Sequence, residues 1–359
     1  MENLLVSSVE GKSGKSTLII ALASILKEKG YRVGYFKPFG SSPEYFEGEI
    51  VDGDALNTSR LLGIEDEIRD VCPIVLEVPY AEFVNIAHSE DLKNLIKKSY
   101  ERISSGKDVV LIEGSIDYRI GSAVGLGDIA ISEMLNAKVL LAVKYSNDFV
   151  IDKILAAKDL FGERLKFIIF NKLSGYKRSY IDGVASSVMK KSGIELVGVI
   201  PRDPIIGGLF VDEIRENLHG EYLVEPDEKI IIENIIVGAM SPNSAIEFFR
   251  KTRNAALVTG GDRADLQVVA MEIPNIRMII LTGNLKPSRF ILERAEKNKV
   301  PVLLVSEDTL TTTERLEKMF EEARISGEVK LNRAIELFES FVNVEFLVGS
   351  LFDSTDQHS

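Results

Sequence analysis

The sequence of 359 residues has no tryptophan, a single cysteine and only three histidines. Cys72 therefore has no partner for an internal disulfide, and without a Cys/His cluster a zinc site is not expected. No apolar run is long enough to span a bilayer, and the N-terminus has no basic and then apolar signal segment. We therefore expect a cytoplasmic protein without a membrane partner, in which Cys72 is a small buried side chain.

An excess of basic residues is also missing, since 43 Lys and Arg face 55 Asp and Glu, for a formal net charge of −12 at pH 7. A broad surface that neutralises a phosphate backbone is not expected, so we exclude nucleic acid as a partner. A small anion still fits, because a local nest of backbone N–H groups binds phosphate even inside an acidic protein. The length exceeds what one hydrophobic core usually serves and predicts two domains.

Short apolar runs alternate with amphipathic stretches through the first two thirds of the chain. The runs predict buried strands at residues 4–6, 33–36, 109–112, 139–143, 167–170 and 197–200. Strands that alternate with helices indicate an α/β fold, with a mostly parallel sheet covered by helices on both faces. Ligands of such sheets bind outside the carboxyl ends of the strands.

A polar segment with a proline, residues 223–229, predicts a linker, after which the alternation resumes in a second, smaller α/β domain. We predict domains at residues 1–222 and 223–345 and a tail at 346–359. The last residues, 353–359, are expected to fray.

A glycine-rich loop follows the first predicted strand and leads directly into a predicted helix, which is the context of a P-loop. The predicted nucleotide contacts in it are Glu10, Gly11, Lys12, Ser13, Gly14, Lys15, Ser16 and Thr17. Gly11 and Gly14 let successive N–H groups face phosphate oxygens, and the helix N-terminus adds a positive dipole. Lys15 is predicted to reach the β- and γ-phosphates, and the Ser16 hydroxyl to ligate Mg²⁺.

Three points about this loop stay open. The common pattern has a glycine where Val9 stands, and the candidate that could supply the early glycine elsewhere in this loop is Gly11. Lys12 is either a second phosphate-facing lysine or a solvated loop charge. The loop as a whole has a simpler alternative, a strand-to-helix turn without a ligand.

Acidic residues near the same predicted edge complete a metal site. Glu113 ends the strand at 109–112, and Asp52 and Asp54 lie between the second and third strands. Mg²⁺ normally takes one or two carboxylates plus phosphate and water, so Ser16, Glu113 and one aspartate make a suitable set. The alternatives are a strand-terminal cap for Glu113, and turn or helix caps for the aspartates.

Three further residues follow strands at this edge. Lys37 is predicted, with Lys15, as a catalytic cation for an anionic substrate or a γ-phosphoryl group; the alternative is a solvent-facing lysine. Asn171 is predicted to contact the nucleotide base, or else it forms a turn. Arg202 contacts the nucleotide or braces a proline-rich loop. Asn171-Lys172 is followed by Leu173-Ser174 and lacks the aspartate that reads guanine, which favours ATP over GTP.

Together these motifs resemble the dethiobiotin synthetase fold. They are the 11–17 loop, Phe36-Lys37-Pro38, Glu113-Gly114, Asn171-Lys172 and residues 198–204. The resemblance is closer to the dethiobiotin-synthetase-like N-terminal domain of long bacterial phosphate acetyltransferases. Residues 257–265 and 281–287 look like the DRTGG domain, which sits directly behind the P-loop domain in those enzymes.

The resemblance implies Lys15 and Ser16 as nucleotide and Mg²⁺ contacts, with Lys37 as a substrate-side cation. Glu113 and Asp52 or Asp54 become metal contacts. In the acetyltransferases the acyl transfer belongs to a further C-terminal domain, so we expect no acetyl transfer by this chain alone. The DRTGG domain is thought to be regulatory.

We expect a Mg-ATP-binding regulatory protein, in which slow hydrolysis suffices for a switch and the second domain is a sensor or oligomerisation module. Its expected partners are a small anionic metabolite, a metabolic enzyme and further copies of itself. The alternative is an ATP-dependent ligase of dethiobiotin synthetase type, acting through an acyl- or carbamoyl-phosphate intermediate. A third interpretation is a partner protein with a structural nucleotide. In the second domain, residues 260–263 form either an anion nest or a tight turn in which Asp262 caps a helix.

Overall fold

The computed structural model describes residues 1–173, 180–321 and 323–352 of the chain. These residues form two compact units. The first unit comprises Met1–Arg202 and Ile325–Ser359, and the second comprises Asp203–Arg324. No helix in the described part of the chain is both long enough and apolar enough to cross a membrane.

The strands are numbered along the chain. Their bounds are β1 Glu2–Ser8, β2 Val33–Phe36, β3 Pro43–Phe46, β4 Glu49–Asp52, β5 Val109–Glu113, β6 Lys138–Lys144, β7 Leu165–Leu173, β8 Glu195–Pro201, β9 Leu209–Phe210, β10 Glu221–Val224, β11 Ile231–Ile232, β12 Asn234–Val237, β13 Ala255–Gly260, β14 Ile276–Thr282 and β15 Val302–Leu304.

The helices are numbered in the same way. Their bounds are α1 Lys15–Glu28, α2 Gly53–Leu62, α3 Ile68–Val71, α4 Tyr80–Ile86, α5 Ser89–Ser104, α6 Asp128–Met134, α7 Val150–Phe161, α8 Ser186–Lys191, α9 Pro204–Gly207, α10 Val211–Leu218, α11 Pro242–Lys251, α12 Ala264–Met271, α13 Arg289–Asn298, α14 Thr309–Glu321, α15 Gly327–Phe341 and α16 Val344–Phe352. Short 3₁₀ turns occur at Ser122–Val124 and Gly162–Arg164, and a π turn at Ile181–Ala185 precedes α8.

The first unit is built around a fully parallel sheet in the order β2-β5-β1-β6-β7-β8. Its central strands are continuous apolar runs: Leu4 and Leu5 of β1 have no exposed surface, and β5 is buried throughout. Such runs are typical of parallel strands that are covered on both faces. All six strands predicted for this region are confirmed, as is the α/β class.

An exposed antiparallel hairpin, β3–β4, was not predicted. It lies between β2 and α2, and its register pairs Pro43 with Asp52. β4 ends at Asp52, which caps α2 and contacts Lys37, the residue that follows β2 at the carboxyl edge of the large sheet.

The second unit contains a sheet in the order β10-β15-β14-β13-β12, in which β10 pairs antiparallel with β15 and the other pairs are parallel. One face packs against α11, α12 and α13, and the other packs against α10 and α14. The strands β9 and β11 form a separate antiparallel pair. The predicted linker at 223–229 is partly wrong, because its first residues belong to β10, an edge strand that needs little apolar sequence.

The chain returns to the first unit after α14. In β8, a Cβ at Gly198 would lie 2.6 Å from Val342 Cγ2, and the Asn343 N–H donates to the Val197 carbonyl over 2.8 Å. The helix α15 packs along α1. The boundaries between the two compact units thus lie after Arg202 and before Ile325. The predicted domain boundaries at residues 222 and 345 stay a prediction. Within the predicted tail, residues up to 352 are helical, and 353–359 lie outside the described residues.

Candidate functional site

The loop between β1 and α1 has the backbone shape of an anion cradle. Lys12 (φ 57°) and Gly14 (φ 90°) both adopt the left-handed conformation, which turns neighbouring N–H groups toward one side. Gly14 is the N-cap of α1 and provides no side-chain bond to the first turn, in which no described acidic side chain occurs. The first N–H groups of the helix are therefore available to an anion.

Lys15 is the first residue of α1 and is buried, with 8% of its surface exposed. Its Nζ donates to Ser8 Oγ (2.8 Å) and to the Ile116 carbonyl (3.2 Å), which fixes the ammonium beneath the loop. Burial lowers the pKa of Lys15, while the carboxylates of Asp128 and Glu113 oppose that shift. A buried cation at a helix N-terminus attracts a phosphate group.

Glu113 connects three elements at the end of β5. Its Oε1 accepts from the Ser16 hydroxyl over 2.8 Å, and its Oε2 accepts from the Tyr35 hydroxyl over 2.8 Å. Lys37 Nζ lies 3.7 Å from Oε1. The structure therefore brings together three residues that the sequence placed in one site: the loop serine, the strand-end glutamate and the lysine after β2.

Lys37 is buried and faces two aspartates. Its Nζ lies 2.8 Å from Asp52 Oδ1 and 3.4 Å from Asp54 Oδ2. Asp52 is fully buried and also accepts from the N–H groups of Ala55, as the cap of α2, and of Ser42. The cap interpretation of Asp52 is thus realised together with an ion pair, while the Asp54 side chain is 30% exposed.

Lys37 stays protonated at the centre of this cluster of three carboxylates. Burial lowers the pKa of Lys37, but the three surrounding carboxylates outweigh burial and raise this pKa above its ordinary value. Among the described residues, no group of three His, Cys, Asp or Glu side chains is arranged to hold a metal ion. A Mg²⁺ ion shared with phosphate needs fewer protein ligands, and Ser16, Glu113 and Asp54 supply oxygens of the right kind.

At the end of β7, the predicted residue Asn171 and its neighbour Lys172, which was not predicted as a site residue, both contact the loop. Asn171 is buried, and its Nδ2 donates to the Ser13 carbonyl over 2.8 Å. Lys172 Nζ donates to the Lys12 carbonyl over 3.0 Å. Ser174, at the position of the guanine-reading aspartate, lies outside the described residues.

The outer residues of the predicted set have looser surroundings. Arg202 is exposed, and its backbone N–H donates to the Leu173 carbonyl over 2.9 Å. Glu10 pairs with Lys153 at 3.6 Å. The Ser13 hydroxyl is buried and has no hydrogen-bond partner in the described structure, which leaves a polar group for a ligand.

Asp128, the first residue of α6, was missed by the sequence analysis. It is fully buried, accepts from the Ser7 hydroxyl and from the Ser115 N–H (3.0 Å), and stands where a Cβ at Gly114 would collide with it. Burial raises its pKa to about 6. Its sequence signal is an aspartate after a glycine at the start of a short helix, which looks like an ordinary cap.

At the carboxyl edge of the sheet in the second unit, the turn between β13 and α12 is held by side-chain bonds to its backbone carbonyls. Gln267 is buried, and its Nε2 donates to the carbonyls of Gly260 (3.0 Å) and Gly261 (3.2 Å). Arg263 donates to two carbonyls of the turn after β12. The N-cap of α12 is Arg263, and no side chain caps that helix, so the predicted cap by Asp262 is wrong.

Comparison with protein families matches residues 2–208 to a family described as AAA domain, and residues 213–319 to the DRTGG domain. The phosphate acetyltransferase of Synechocystis sp. is 24% identical over 372 residues, which cover 97% of this chain and 52% of that protein. The cobyric acid synthase of Clostridium botulinum is 25% identical over 232 residues, covering 56% of this chain and 44% of that protein. The chain spans about half the length of the curated relatives that it matches.

Solved structures give weaker likenesses. The septum site-determining protein MinD of Pyrococcus horikoshii, complexed with Mg-ADP, has a TM-score of 0.35 at 18% identity, covering 57% of this chain and 83% of that chain. The CBS and DRTGG domains of a Clostridium perfringens pyrophosphatase, complexed with diadenosine tetraphosphate, have a TM-score of 0.29 at 19% identity. They cover 45% of this chain and 78% of that chain.

Proposed function

This chain belongs to the AAA domain family, and we propose that its first unit binds Mg-ATP as the switch of a two-domain regulatory protein. The observation that carries the proposal is the loop around Lys15: a buried ammonium lies at the head of α1, beneath a left-handed backbone and uncapped N–H groups. Burying a cation costs free energy unless a partner or ligand compensates it, so its retention here favours a phosphate ligand.

In this proposal Lys15 and the N–H groups of the loop bind the phosphates. Ser16, Glu113 and Asp54 would hold a magnesium ion, which would supply positive charge to the phosphates. Lys37 stays protonated among its carboxylates and provides a fixed positive charge next to the metal-side ligands. Asp52 keeps Lys37 and the start of α2 in place.

The regulatory part of the proposal rests on the likeness to phosphate acetyltransferases, which extends over 97% of this chain. It covers both the nucleotide-binding domain and the DRTGG domain, with the latter as sensor or oligomerisation module. The expected partners are a metabolic enzyme, a small anionic metabolite and further copies of the chain. A γ-phosphate that orders nearby loops is a sufficient switch even if hydrolysis is slow.

A second candidate is an ATP-dependent ligase of dethiobiotin synthetase type. The buried position of Lys37 favours it, because a fixed cation near the γ-phosphate stabilises an acyl- or carbamoyl-phosphate. Incubation with ATP, carbon dioxide and a diamino acid, followed by mass spectrometry, tests this chemistry. A cyclised product that is absent in Lys37→Met supports the ligase, and ATP consumption without product counts against it.

The first experiment is a thermal-shift titration with Mg-ATP, Mg-GTP and Mg-ADP. At a ligand concentration of a hundred times Kd, binding to the native state alone adds about 2.7 kcal/mol of stability. We expect a magnesium-dependent shift with ATP that Lys15→Ala abolishes. Lys29→Ala, which changes an exposed lysine at the other end of α1, should keep it. No shift with any nucleotide would overturn the proposal.

The regulatory role has its own measurement. Sedimentation of the wild-type protein with and without Mg-ATP should reveal a change of oligomeric state, which Lys15→Ala should lose together with nucleotide binding. A protein that binds Mg-ATP with no change in oligomeric state, stability of the second unit or partner binding is not a regulator of this kind.

A further inference from the structure

The two carboxylate oxygens of Glu113 face side chains that stand two residues apart at β2. Tyr35 donates its hydroxyl to Oε2 over 2.8 Å, and Lys37 Nζ lies 3.7 Å from Oε1. The strand register explains this, because Tyr35 pairs with Leu111 across β2 and β5. Side chains two residues apart along a strand point to the same face of a sheet. The tyrosine and the glutamate are therefore placed on one face by the register of two neighbouring parallel strands.

The Tyr35 hydroxyl is a permanent donor inside the protein. The residue has no exposed surface and belongs to a strand that is buried throughout. Burial, and next the charge of Glu113, raise the pKa of Tyr35 well above its ordinary value, so the hydroxyl keeps its proton. A buried hydroxyl costs free energy unless it is hydrogen-bonded, and the bond to Glu113 meets that cost.

This bond decides which oxygen of Glu113 faces the phosphate loop. The terminal torsion of a glutamate has broad preferences, so a donor on one oxygen sets where the other one points. With Oε2 bonded to Tyr35, Oε1 accepts from the Ser16 hydroxyl over 2.8 Å. Ser16 and Glu113 are both proposed magnesium ligands, and Mg²⁺ requires nearly ideal octahedral geometry. The direction of Oε1 therefore matters to metal binding.

Lys37 does not give the carboxylate its direction. Its Nζ lies 2.8 Å from Asp52 Oδ1 but 3.7 Å from Glu113 Oε1, which is beyond hydrogen-bond distance. A lysine ammonium is also a compact charge whose donors rotate, so at this distance it adds attraction without fixing an orientation. The directional bond to Oε2 comes from Tyr35.

We infer that Tyr35 is a positioning residue of the proposed magnesium site, whose hydroxyl orients Glu113 so that Oε1 faces Ser16 and the metal. The inference rests on the proposed binding of Mg-ATP, and it assigns a share of the magnesium affinity to a tyrosine that contacts neither ligand. Outer partners of this kind commonly orient metal ligands. A positioning role lowers the contribution of magnesium to ATP affinity, whereas a role in packing alone changes ATP binding equally with and without the metal.

The test is calorimetric titration of ATP in EDTA and in saturating MgCl₂, on the wild type and on Tyr35→Phe, which removes only the hydroxyl. The magnesium gain of each protein is its Kd for ATP in EDTA divided by its Kd in MgCl₂. We expect the gain of Tyr35→Phe to be about tenfold lower than that of the wild type, which corresponds to about 1.4 kcal/mol. The two Kd values in EDTA should agree within about twofold.

Tyr100→Phe is the matched control. It also removes a tyrosine hydroxyl in the first unit, one that donates to Asn3 Oδ1 over 2.6 Å and not to Glu113, so the magnesium gain should stay at the wild-type value. If Tyr35→Phe does not fold in buffer alone, all three proteins are compared in sucrose, an osmolyte that favours the folded state.

Two results would overturn the inference and leave nucleotide binding standing. One is an unchanged magnesium gain in Tyr35→Phe, and the other is an equal loss of ATP affinity in EDTA and in MgCl₂. A wild-type protein that binds ATP in neither solution overturns the proposed function as well. The Kd values of the wild type therefore separate a failure of the proposed function from a failure of the role assigned to Tyr35.

Discussion

At the carboxyl edges of the two large sheets, a side-chain amide holds a glycine turn in the same way, but the buried side chains around the turn differ. In the first unit, the amide of Asn171 donates to a carbonyl of the glycine loop; in the second, the amide of Gln267 donates to the carbonyls of Gly260 and Gly261. Both amides are buried and hold a turn between a strand and a helix. A glycine turn braced by a carboxamide is therefore not a ligand site in itself.

The difference lies in buried charge. The first edge buries Lys15, Lys37, Asp52, Glu113 and Asp128. In the described second unit, the buried polar side chains are uncharged apart from Asp203, which caps α9: they are Thr259, Gln267, Thr282 and Thr312. Charges are expensive to bury, so a cluster of them marks chemistry. Gln267 Oε1 is buried without a hydrogen-bond partner in the described structure, as is the Ser13 hydroxyl, so it is buried charge and not an unpartnered oxygen that separates the two edges.

Removing the central cation of the first edge should have the largest effect. Lys37→Met leaves Asp52 buried without its cation, and breaking such a pair costs about 3–5 kcal/mol of stability. Urea denaturation measures this loss. Millimolar MgCl₂ should recover part of this stability if Glu113 and Asp54 are metal ligands, because the ion would then supply positive charge close to Asp52.

The matched change in the second unit is Lys286→Met. Lys286 Nζ lies 4.0 Å from Glu221, and both side chains are mostly exposed, so its loss should change stability by at most about 1 kcal/mol. Equal effects of the two substitutions would break the comparison, because charge would then matter no more at one edge than at the other.

Asp128 should give a pH-dependent effect of the next size. Its pKa is about 6 in the folded protein against an ordinary value of 3.8, so the folded state binds the proton more tightly. Stability from this group is therefore lost as the pH rises from 3.8 through 6, by on the order of 3 kcal/mol. Between pH 4 and pH 7, the free energy of unfolding of Asp128→Asn should rise relative to that of the wild type by that amount, as measured by urea denaturation.

A control of opposite sign is available in the same unit. Arg32 lowers the pKa of Asp108 to about 2, so its contribution to stability appears as the pH rises and is lost only in acid. The stability of Asp108→Asn should therefore decrease relative to that of the wild type as the pH rises from about 2 through 3.8. If Asp128→Asn shows no pH-dependent gain, its carboxylate is not perturbed by burial.

The sequence allowed the first sheet and the phosphate loop to be predicted because both depend on local patterns. Buried parallel strands are continuous apolar runs, and the loop has glycines and a lysine at fixed spacing between a strand and a helix. The hairpin β3–β4 is exposed on most of its length and has no such run, so it was missed.

The remaining features depend on tertiary contacts. Nothing local to residues 325–352 shows that they pack on the first unit, since their amphipathic pattern fits any apolar partner. The role of Asp52 as both cap and partner of Lys37 arises only when the fold brings the end of β4 close to the residue that follows β2. Asp128 becomes unusual only through burial, which a single sequence does not reveal at one position.

An effect smaller than those at Lys37 and Asp128 is expected at the braced turn of the second unit. Gln267→Leu keeps the approximate volume and removes the donor to Gly260 and Gly261. The Gly260 carbonyl keeps its bond from the Arg263 N–H (3.1 Å), whereas the buried Gly261 carbonyl loses the bond from Gln267, at a cost of about 1–3 kcal/mol. If this turn serves packing, unfolding of the second unit shifts while calorimetry gives an unchanged Kd for Mg-ATP. A tenfold weaker Kd would mean that the uncharged edge contributes to nucleotide binding, and buried charge would no longer separate the two edges.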